Sequence, residues 1–438
     1  MTQRIVIFVG PSLPADEVQR AIARIPAEVI VQPPVQQGDM LRIAELKPTC
    51  VAIVDGVFFQ VPSVTHKEIL FTLERGVRVL GAASLGALRA AELDVFGMQG
   101  VGEIYRMYKR GIIDGDDEVA VMHGNAEDGY VAYSEPLVSV RHNLRRAQQR
   151  GIITGKTARS VIQAGKQLHF TRRTYRGILR AAVASVAEAE MHALERFLDA
   201  EAEDLKRADA LELLELLATE PSALASSVPT VHRTVYAHLA HREYAGRTYG
   251  GTYLSDAFVL SMVKLLSPHA VRLRRRAAFR CIASAQAIAA CSTRQLINEV
   301  AQRHGIEPRL LLAAPRMQPG IPWDTALLRE AADSGEFEAM LELAARVQCF
   351  AETTRKAMPG LLESLSLERL EAWAANKWAI EHHRLGQHLV LCGFSSYREF
   401  ADVARLLYVD EWLNDAAFAQ QDRLERVVRR AGVALEVR

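Results

Sequence analysis

Residues 50–93 read CVAIVDGVFFQVPSVTHKEILFTLERGVRVLGAASLGALRAAEL, two strand-like runs each followed by a helix-like run. Cys50 to Val54 is an unbroken apolar segment, the pattern of a strand buried on both faces and hence of a parallel sheet. Asp55-Gly56 closes it. Pro62 and Ser63 then introduce a helix with Ser63 or Thr65 as its cap, Glu68 in its first turn, Ile69, Leu70 and Leu73 on one face, and Gly76 as its stop. Val77, Val79 and Leu80 form the next strand, after which Leu85, Leu88, Ala91 and Leu93 return to helical spacing. The joint between those two is abrupt, and Ser84 stands on it.

Ala82, Ala83, Gly86 and Ala87 surround Ser84 with small residues, as a sharp turn requires. Ala82-Ala83-Ser84-Leu85-Gly86 is similar to a Gly-x-Ser-x-Gly nucleophile elbow with alanine in the first glycine position. A helix beginning near Leu85 aims free backbone N–H groups at whatever Ser84 attacks, so Leu85 and Gly86 are candidate oxyanion donors, with Gly10 from the end of the first strand as further support. The same geometry also suits phosphate.

Lys67 falls in the first turn of the preceding helix. In a parallel sheet that turn and the Ser84 joint both lie at the C-terminal edge, where ligands bind. A helix N-terminus and burial both disfavour an ammonium, and a neutral lysine is able to act as general base toward a serine hydroxyl. The alternative for Lys67 is a solvated residue on an amphipathic helix. His66 and His123 are second-choice bases, with Asp55 available to orient either in a triad-like set.

Working outward, Arg4–Val9 reads as a first strand ending at Gly10-Pro11-Ser12, a helix runs to about Arg24, and Glu28–Val31 is a second strand. A short helix to about Leu46 follows Pro33-Pro34 and Gly38-Asp39, and Glu118–Met122 reads as a fifth strand with His123 at its end. The Gly10-Pro11-Ser12 loop lacks both the dinucleotide and the P-loop glycine patterns. From about Val140 the pattern becomes helical, with stretches at Thr157–His169, Leu194–Leu217, Ser255–Leu266, Ala277–Ala290 and Val403–Arg430 and interruptions at Pro221–Pro229 and Pro315–Trp323. The fold class is therefore an α/β N-terminal domain with a mainly parallel sheet, residues 1–140, followed by a predominantly α-helical region, residues 141–438.

The 438 residues carry 53 basic and 52 acidic side chains, a balance that supplies no overall pull toward nucleic acid or membrane. Five scattered cysteines, Cys50, Cys281, Cys291, Cys349 and Cys392, have no metal-ligand spacing and read as reduced thiols. The apolar run before Gly10 is too short for a signal peptide and no later one reaches transmembrane length, so a cytoplasmic location is expected. Asp114, Asp116, Asp117 and Glu118 lack the spacing of a calcium loop, and no metal is expected there. The basic run Arg272–Arg276 has no interleaved aromatics and reads as an exposed helix face. Arg89 is a packing, partner-contact or charge-neutralising residue, and Arg247–Tyr253 is a glycine–aromatic loop that either caps a site or connects helices.

The strings FVGPSL, PPVQQGD, VDGVFFQVPSVTHKEIL, GVRVLGAASLGALRAAEL, FGMQGVGEIY and DDEVAVMH together resemble the TfuA-like proteins that accompany YcaO enzymes in peptide backbone thioamidation. The resemblance covers residues 5–124 and is weak beyond them. It implies hydrolysis of the thiocarboxylated C-terminus of a small ThiS-like sulfur carrier, with sulfide passed to YcaO for a ribosomal peptide or protein. It further implies a catalytic pair, its serine falling on Ser84 and its lysine on Lys67. No metal, nucleotide or redox cofactor is called for. The alternative is a non-catalytic adaptor that strengthens the grip of YcaO on its peptide, Ser84 and Lys67 then forming a docking contact.

Overall fold

In a computed structural model of the chain, the residues described are 3–57, 61–221, 228–231, 244–282, 323–333, 337–357, 362–394 and 396–419, with 295, 298, 302, 335 and 360. Two compact units divide the chain at His232 and Arg233.

The apolar runs of the first unit pair side by side as one parallel sheet, β1 (Arg4–Phe8), β2 (Glu28–Gln32), β3 (Cys50–Ile53), β4 (Arg78–Gly81) and β5 (Gln99–Gly100), in the order β2-β1-β3-β4-β5. The register aligns Val6 with Ile30 and with Val51, and Val51 with Val79. Ile5, Val6, Ile7, Val51, Ile53, Val79 and Leu80 are all fully buried, each contributing on the order of 1.5–3 kcal/mol. Cys50 belongs to the same core, and burial pushes its thiol up to about 12, so it is an unreactive core residue.

Helices α1 (Ala15–Ile22), α2 (Asp39–Arg42), α3 (His66–Glu74), α4 (Leu85–Leu93) and α5 (Gly102–Lys109) connect or follow the strands. Thr65 is the cap of α3, in a capping box with Glu68. The buried Glu68 carboxylate also accepts from Gly38 N at 2.6 Å, which ties the start of α3 to the loop before α2. Burial pushes this carboxyl above its usual range.

The fifth strand is Gln99–Gly100, not Glu118–Met122. Residues Asp116–Glu118 form a 3₁₀ turn instead, because Glu118 is buried against Arg141, whose guanidinium grips it with two bonds of 2.9 and 2.8 Å. His123 consequently lies in a loop, bridged to Ala132, rather than at the end of a sheet strand.

Among the described residues, five further helices belong to this unit: α6 (Leu137–Gln149), α7 (Gly155–Gln167), α8 (Tyr175–Ala182), α9 (Glu188–Glu201) and α10 (Leu205–Thr219). The unit thus extends well beyond residue 140. The reason is α10, whose Ala210, Leu213, Leu214 and Leu217 share a core with Ile5, Ile7, Ala52, Val54, Ala82 and Ala83 on one face of the sheet. The single helix expected at Leu194–Leu217 is two, because Asp204 accepts from Lys206 N and Arg207 N and starts a new one.

Among the described residues, the second unit is helical apart from one hairpin. Arg247–Tyr253 is that hairpin: β6 (Gly246–Tyr249) and β7 (Thr252–Ser255) are joined through Gly250 and Gly251, both at positive φ as a two-residue turn requires. Helices at Asp256–Leu266, Ala270–Ile282, Trp323–Ala332, Phe337–Ala357, Leu367–Lys377, Leu385–Cys392 and Tyr397–Ala419 pack around Val259, Val263, Leu370 and Phe400. In the basic run, Arg274 donates to Val390 O and Leu391 O, and Arg276 pairs with the buried Glu330. Those two arginines fasten helices together. The Arg275 side chain, the Cys281 side chain, Cys291, the Pro315–Trp323 interruption up to residue 322, residues 222–227 of the Pro221–Pro229 interruption and the tails of the helices expected to reach Ala290 and Arg430 lie outside the described residues. Among the described residues, no helix is long and apolar enough to cross a membrane.

Candidate functional site

A sheet of order 2-1-3-4-5 reverses its winding between β1 and β3, and ligands of such sheets bind at the carboxyl ends of the strands beside that reversal. Here the reversal point holds a buried polar cluster. Asp55, just past β3, accepts from Gly10 N at 2.8 Å, Ser12 N at 3.0 Å and Ser12 Oγ at 2.6 Å. Lys206 Nζ, from the first turn of α10, lies 3.8 Å from Asp55 Oδ1 and donates to Val119 O at 3.2 Å. The loop N–H groups that a phosphate would need are thus spent on an internal carboxylate.

One strand further along, β4 ends in the Ser84 joint. Ser84 N donates to Ala82 O at 2.8 Å and to Val54 O at 3.3 Å, which docks the joint onto the end of β3. Ala83 has φ 63°, a left-handed conformation uncommon for a residue with a Cβ, and Ser84 follows at φ −119°, ψ −124° before α4 begins. Strain stored in this way clusters at functional sites. A Cβ on Gly86 would lie 1.7 Å from Ile53 O, so only glycine allows β4, α4 and β3 to meet this closely.

The hydroxyl of Ser84 makes no side-chain cap bond to α4. Ser12, Asp55, Ser84 and Lys206 are each 3% exposed or less. The segment from Val119 to Glu135 runs over this edge: Val119 O holds Lys206, and Tyr130 packs against Gly10, 3.6 Å from where a Cβ would stand.

The residues named from sequence are distributed as follows. Ser84 and Asp55 share the edge, but Asp55 is saturated by Gly10 and Ser12 and orients no histidine among the described residues. Gly10 N is therefore engaged, as is Gly86 N, which donates to Val54 O at 3.4 Å. Leu85 N, first in α4, has no backbone acceptor among the described residues and is the remaining oxyanion donor. Lys67 is half-buried on α3, and no hydrogen bond joins it to Ser84.

His66 is exposed, and its Nε2 is 2.8 Å from Glu92 Oε2. Glu92 stands eight residues beyond Ser84 on α4, roughly 12 Å along the helix axis. Arg89 completes this surface group, bonding Glu92 at 2.6 Å and Val64 O at 3.3 Å, so it is a packing residue. Partial burial works against the Glu92 charge, yet the bonds from His66 and Arg89 hold its carboxyl below the usual range. His123 bonds Gly124 O through Nδ1 and rests against Tyr130. Of the acidic cluster, Asp117 pairs with Arg173 at 2.5 Å and Glu118 with Arg141, so both are structural.

Ser12 and Lys206 were not among the residues singled out by sequence. Lys206 has no local signal, since DLKRADALELLELL reads as a capped amphipathic helix with its lysine in water. Only the fold carries it to Asp55. One turn on, Asp209 accepts from Glu103 N and Ile104 N at the start of α5. Burial pushes the Asp209 carboxyl up to about 6 from 3.8. A folded-state value above the unfolded one means that the folded chain binds the extra proton between about pH 4 and 6, so this group costs stability as pH rises through that window. Urea unfolding of wild type is expected to lose stability from this source between about pH 4 and 6, and Asp209→Asn is expected to flatten that slope. An unchanged slope would contradict the assignment.

Residues 55–174 match the family described as TfuA-like protein. The match begins at Asp55 and ends beyond α7, so it contains Lys67, Ser84 and the loop with Tyr130. Residues 5–54, which carry further resembling strings, lie outside it. A comparison with curated proteins finds no match.

Proposed function

We propose, from the premise that residues 55–174 form a TfuA-like region, that the chain delivers sulfur to a YcaO enzyme for peptide backbone thioamidation. In this reading Ser84 attacks the thiocarboxylated C-terminus of a ThiS-like carrier. A bond forms between Ser84 Oγ and the acyl carbon as the C–S bond breaks, and the sulfur leaves as hydrosulfide carrying the serine proton, which passes through Lys67. Water, deprotonated by Lys67, then cleaves the ester. The carrier departs as a carboxylate, one proton goes to solvent, and both side chains are restored. In this reading the Leu85 N–H donates to the developing oxyanion.

The observation that carries this reading is Ser84 itself, held at a strained strand–helix joint on the ligand-binding edge of the sheet and making no cap bond to its own helix. Lys67 enters through the resemblance and through its position in the first turn of the adjacent α3. Lys67→Ala is expected to lower sulfide release about a hundredfold or more, while His66→Ala, which breaks only an exposed pair with Glu92, leaves it within about twofold. The reverse pattern would move the base to His66.

A second reading, a non-catalytic adaptor between YcaO and its peptide, is favoured by the lack of a hydrogen bond between Ser84 and Lys67. Sulfide release from a thiocarboxylated carrier separates the two. An enzyme releases sulfide catalytically; an adaptor binds without doing so.

A further inference from the structure

The polar cluster at the β1–β3 reversal contains a cation that the serine chemistry does not use. Lys206 is buried, yet among the described residues its ammonium, with three N–H donors, makes one hydrogen bond, to Val119 O at 3.2 Å. Asp55 at 3.8 Å forms a buried ion pair with it but is beyond hydrogen-bond reach, its oxygens being bonded by Gly10 and Ser12. Asp55 offsets the charge, but the N–H donors of a buried ammonium that stay unbonded are costly unless something else completes its shell.

The position of α10 brings this ammonium to the Ser84 joint. Lys206 meets Asp55 at the end of β3, and Asp209 meets Glu103 and Ile104 just after β5, so the first turns of α10 cross the end of β4, which lies between those strands. Ala210 packs in one core with Ala82 and Ala83, the two residues before Ser84. Strands in a sheet are about 4.8 Å apart, so one strand spacing separates the Asp55 column from the Ser84 column. The N-termini of α4 and α10 converge on the same edge and add positive potential to that of Lys206. Both nearby carboxylates, Asp55 and Asp209, are occupied by backbone N–H groups.

We infer that Lys206 is the receptor for the anionic acyl terminus of the carrier tail, thiocarboxylate before hydrolysis and carboxylate after it. This rests on the proposed sulfur-delivery reading and deepens it. Such an end group completes the ammonium shell and places the acyl carbon on the edge that holds Ser84. Because the cluster is closed under the 119–135 segment, that segment lifts from Tyr130 and Gly10 to admit the tail.

The test uses the full chain and two probes, a ThiS-like carrier with a free C-terminal carboxylate and the same carrier amidated at its C-terminus, titrated by calorimetry. Wild type is expected to bind the carboxylate form about tenfold or more tightly, as loss of a charge-assisted contact implies. Lys206→Gln is expected to bind both forms alike, and Lys206→Arg to keep the preference. If the single variant does not fold, Lys206→Gln/Asp55→Asn removes the buried pair together and is read in the same way. Equal binding of the two probes by wild type, no binding of either, or an undiminished preference in the glutamine variants would each overturn the inference. The two readings fail separately: a Lys206-dependent preference without sulfide release removes the hydrolase and leaves the receptor, whereas Ser84-dependent release without the preference does the opposite.

Discussion

Ser84→Ala is expected to abolish sulfide release from a thiocarboxylated carrier, a fall of about a thousandfold or more, while the first unit keeps its fold. The size follows from the role: a nucleophile forms the covalent intermediate, and no neighbouring hydroxyl replaces it. Ser12, a second serine at the same edge, donates its Oγ hydrogen to Asp55 at 2.6 Å. Retention of the fold follows from the local geometry. The hydroxyl of Ser84 does not cap α4, so the side chain is not what starts the helix. The backbone bonds from Ser84 N to Ala82 O and Val54 O survive in alanine. A stability change within about 1 kcal/mol is therefore expected from urea unfolding. Loss of release together with a collapsed fold would give the serine a structural role instead.

Gly86→Ala is expected to do the converse and damage the joint itself. An added Cβ would stand 1.7 Å from Ile53 O and 2.6 Å from Ile53 C, both backbone atoms of a fully buried central strand. No side chain can rotate away to relieve that contact. Either α4 moves off β3, breaking the bonds that Ser84 N and Gly86 N make to Val54 O, or the strand end shifts. A loss of more than about 4 kcal/mol is expected, equivalent to about 8–16 °C in melting temperature for a unit of this size. Calorimetry measures it, and a melting point within about 2 °C of wild type would mean that the joint is looser than its distances state.

The two variants describe one design principle at the edge of the sheet. Glycine at 86 lets three backbones meet, the left-handed Ala83 turns the chain, and the Ser84 hydroxyl is not used to cap α4. Asp55 stabilises the neighbouring loop from inside, so the edge does not need a bound phosphate to organise Gly10–Ser12.

How much of this can be read from sequence depends on whether the cause is local. The runs at Arg4–Val9, Cys50–Val54 and Val77–Leu80 announce β1, β3 and β4 because both faces of those strands are buried and nearly every residue is apolar. Thr65 and Glu68 announce the start of α3 through their spacing of three. β5 has no such signature: it is two residues, Gln99 and Gly100, recruited because the edge of β4 needed a partner. Glu118–Met122 carries a short apolar run with two valines, as a strand would, but a buried Glu118–Arg141 pair outweighs it. The boundary at 140 marks a true change from α/β to helical pattern, whereas the compact unit runs to His232 because α10 covers a sheet face nearly two hundred residues earlier in the chain. Within the site, Ser84 is legible because the small residues around it are contiguous. Lys206 is not, since nothing near it in sequence marks its burial beside Asp55.

The central claim is that Ser84 becomes acylated by the carrier. Its most direct test is intact-mass measurement of the protein, quenched with acid shortly after mixing with a thiocarboxylated ThiS-like carrier, for wild type and Ser84→Ala in parallel. The account predicts a wild-type adduct equal to the sum of the two chains less one hydrogen sulfide, mapping to the peptide that contains Ser84 and absent from the variant. An adduct of the same mass on Ser84→Ala, or sulfide released by that variant at the wild-type rate, would contradict it.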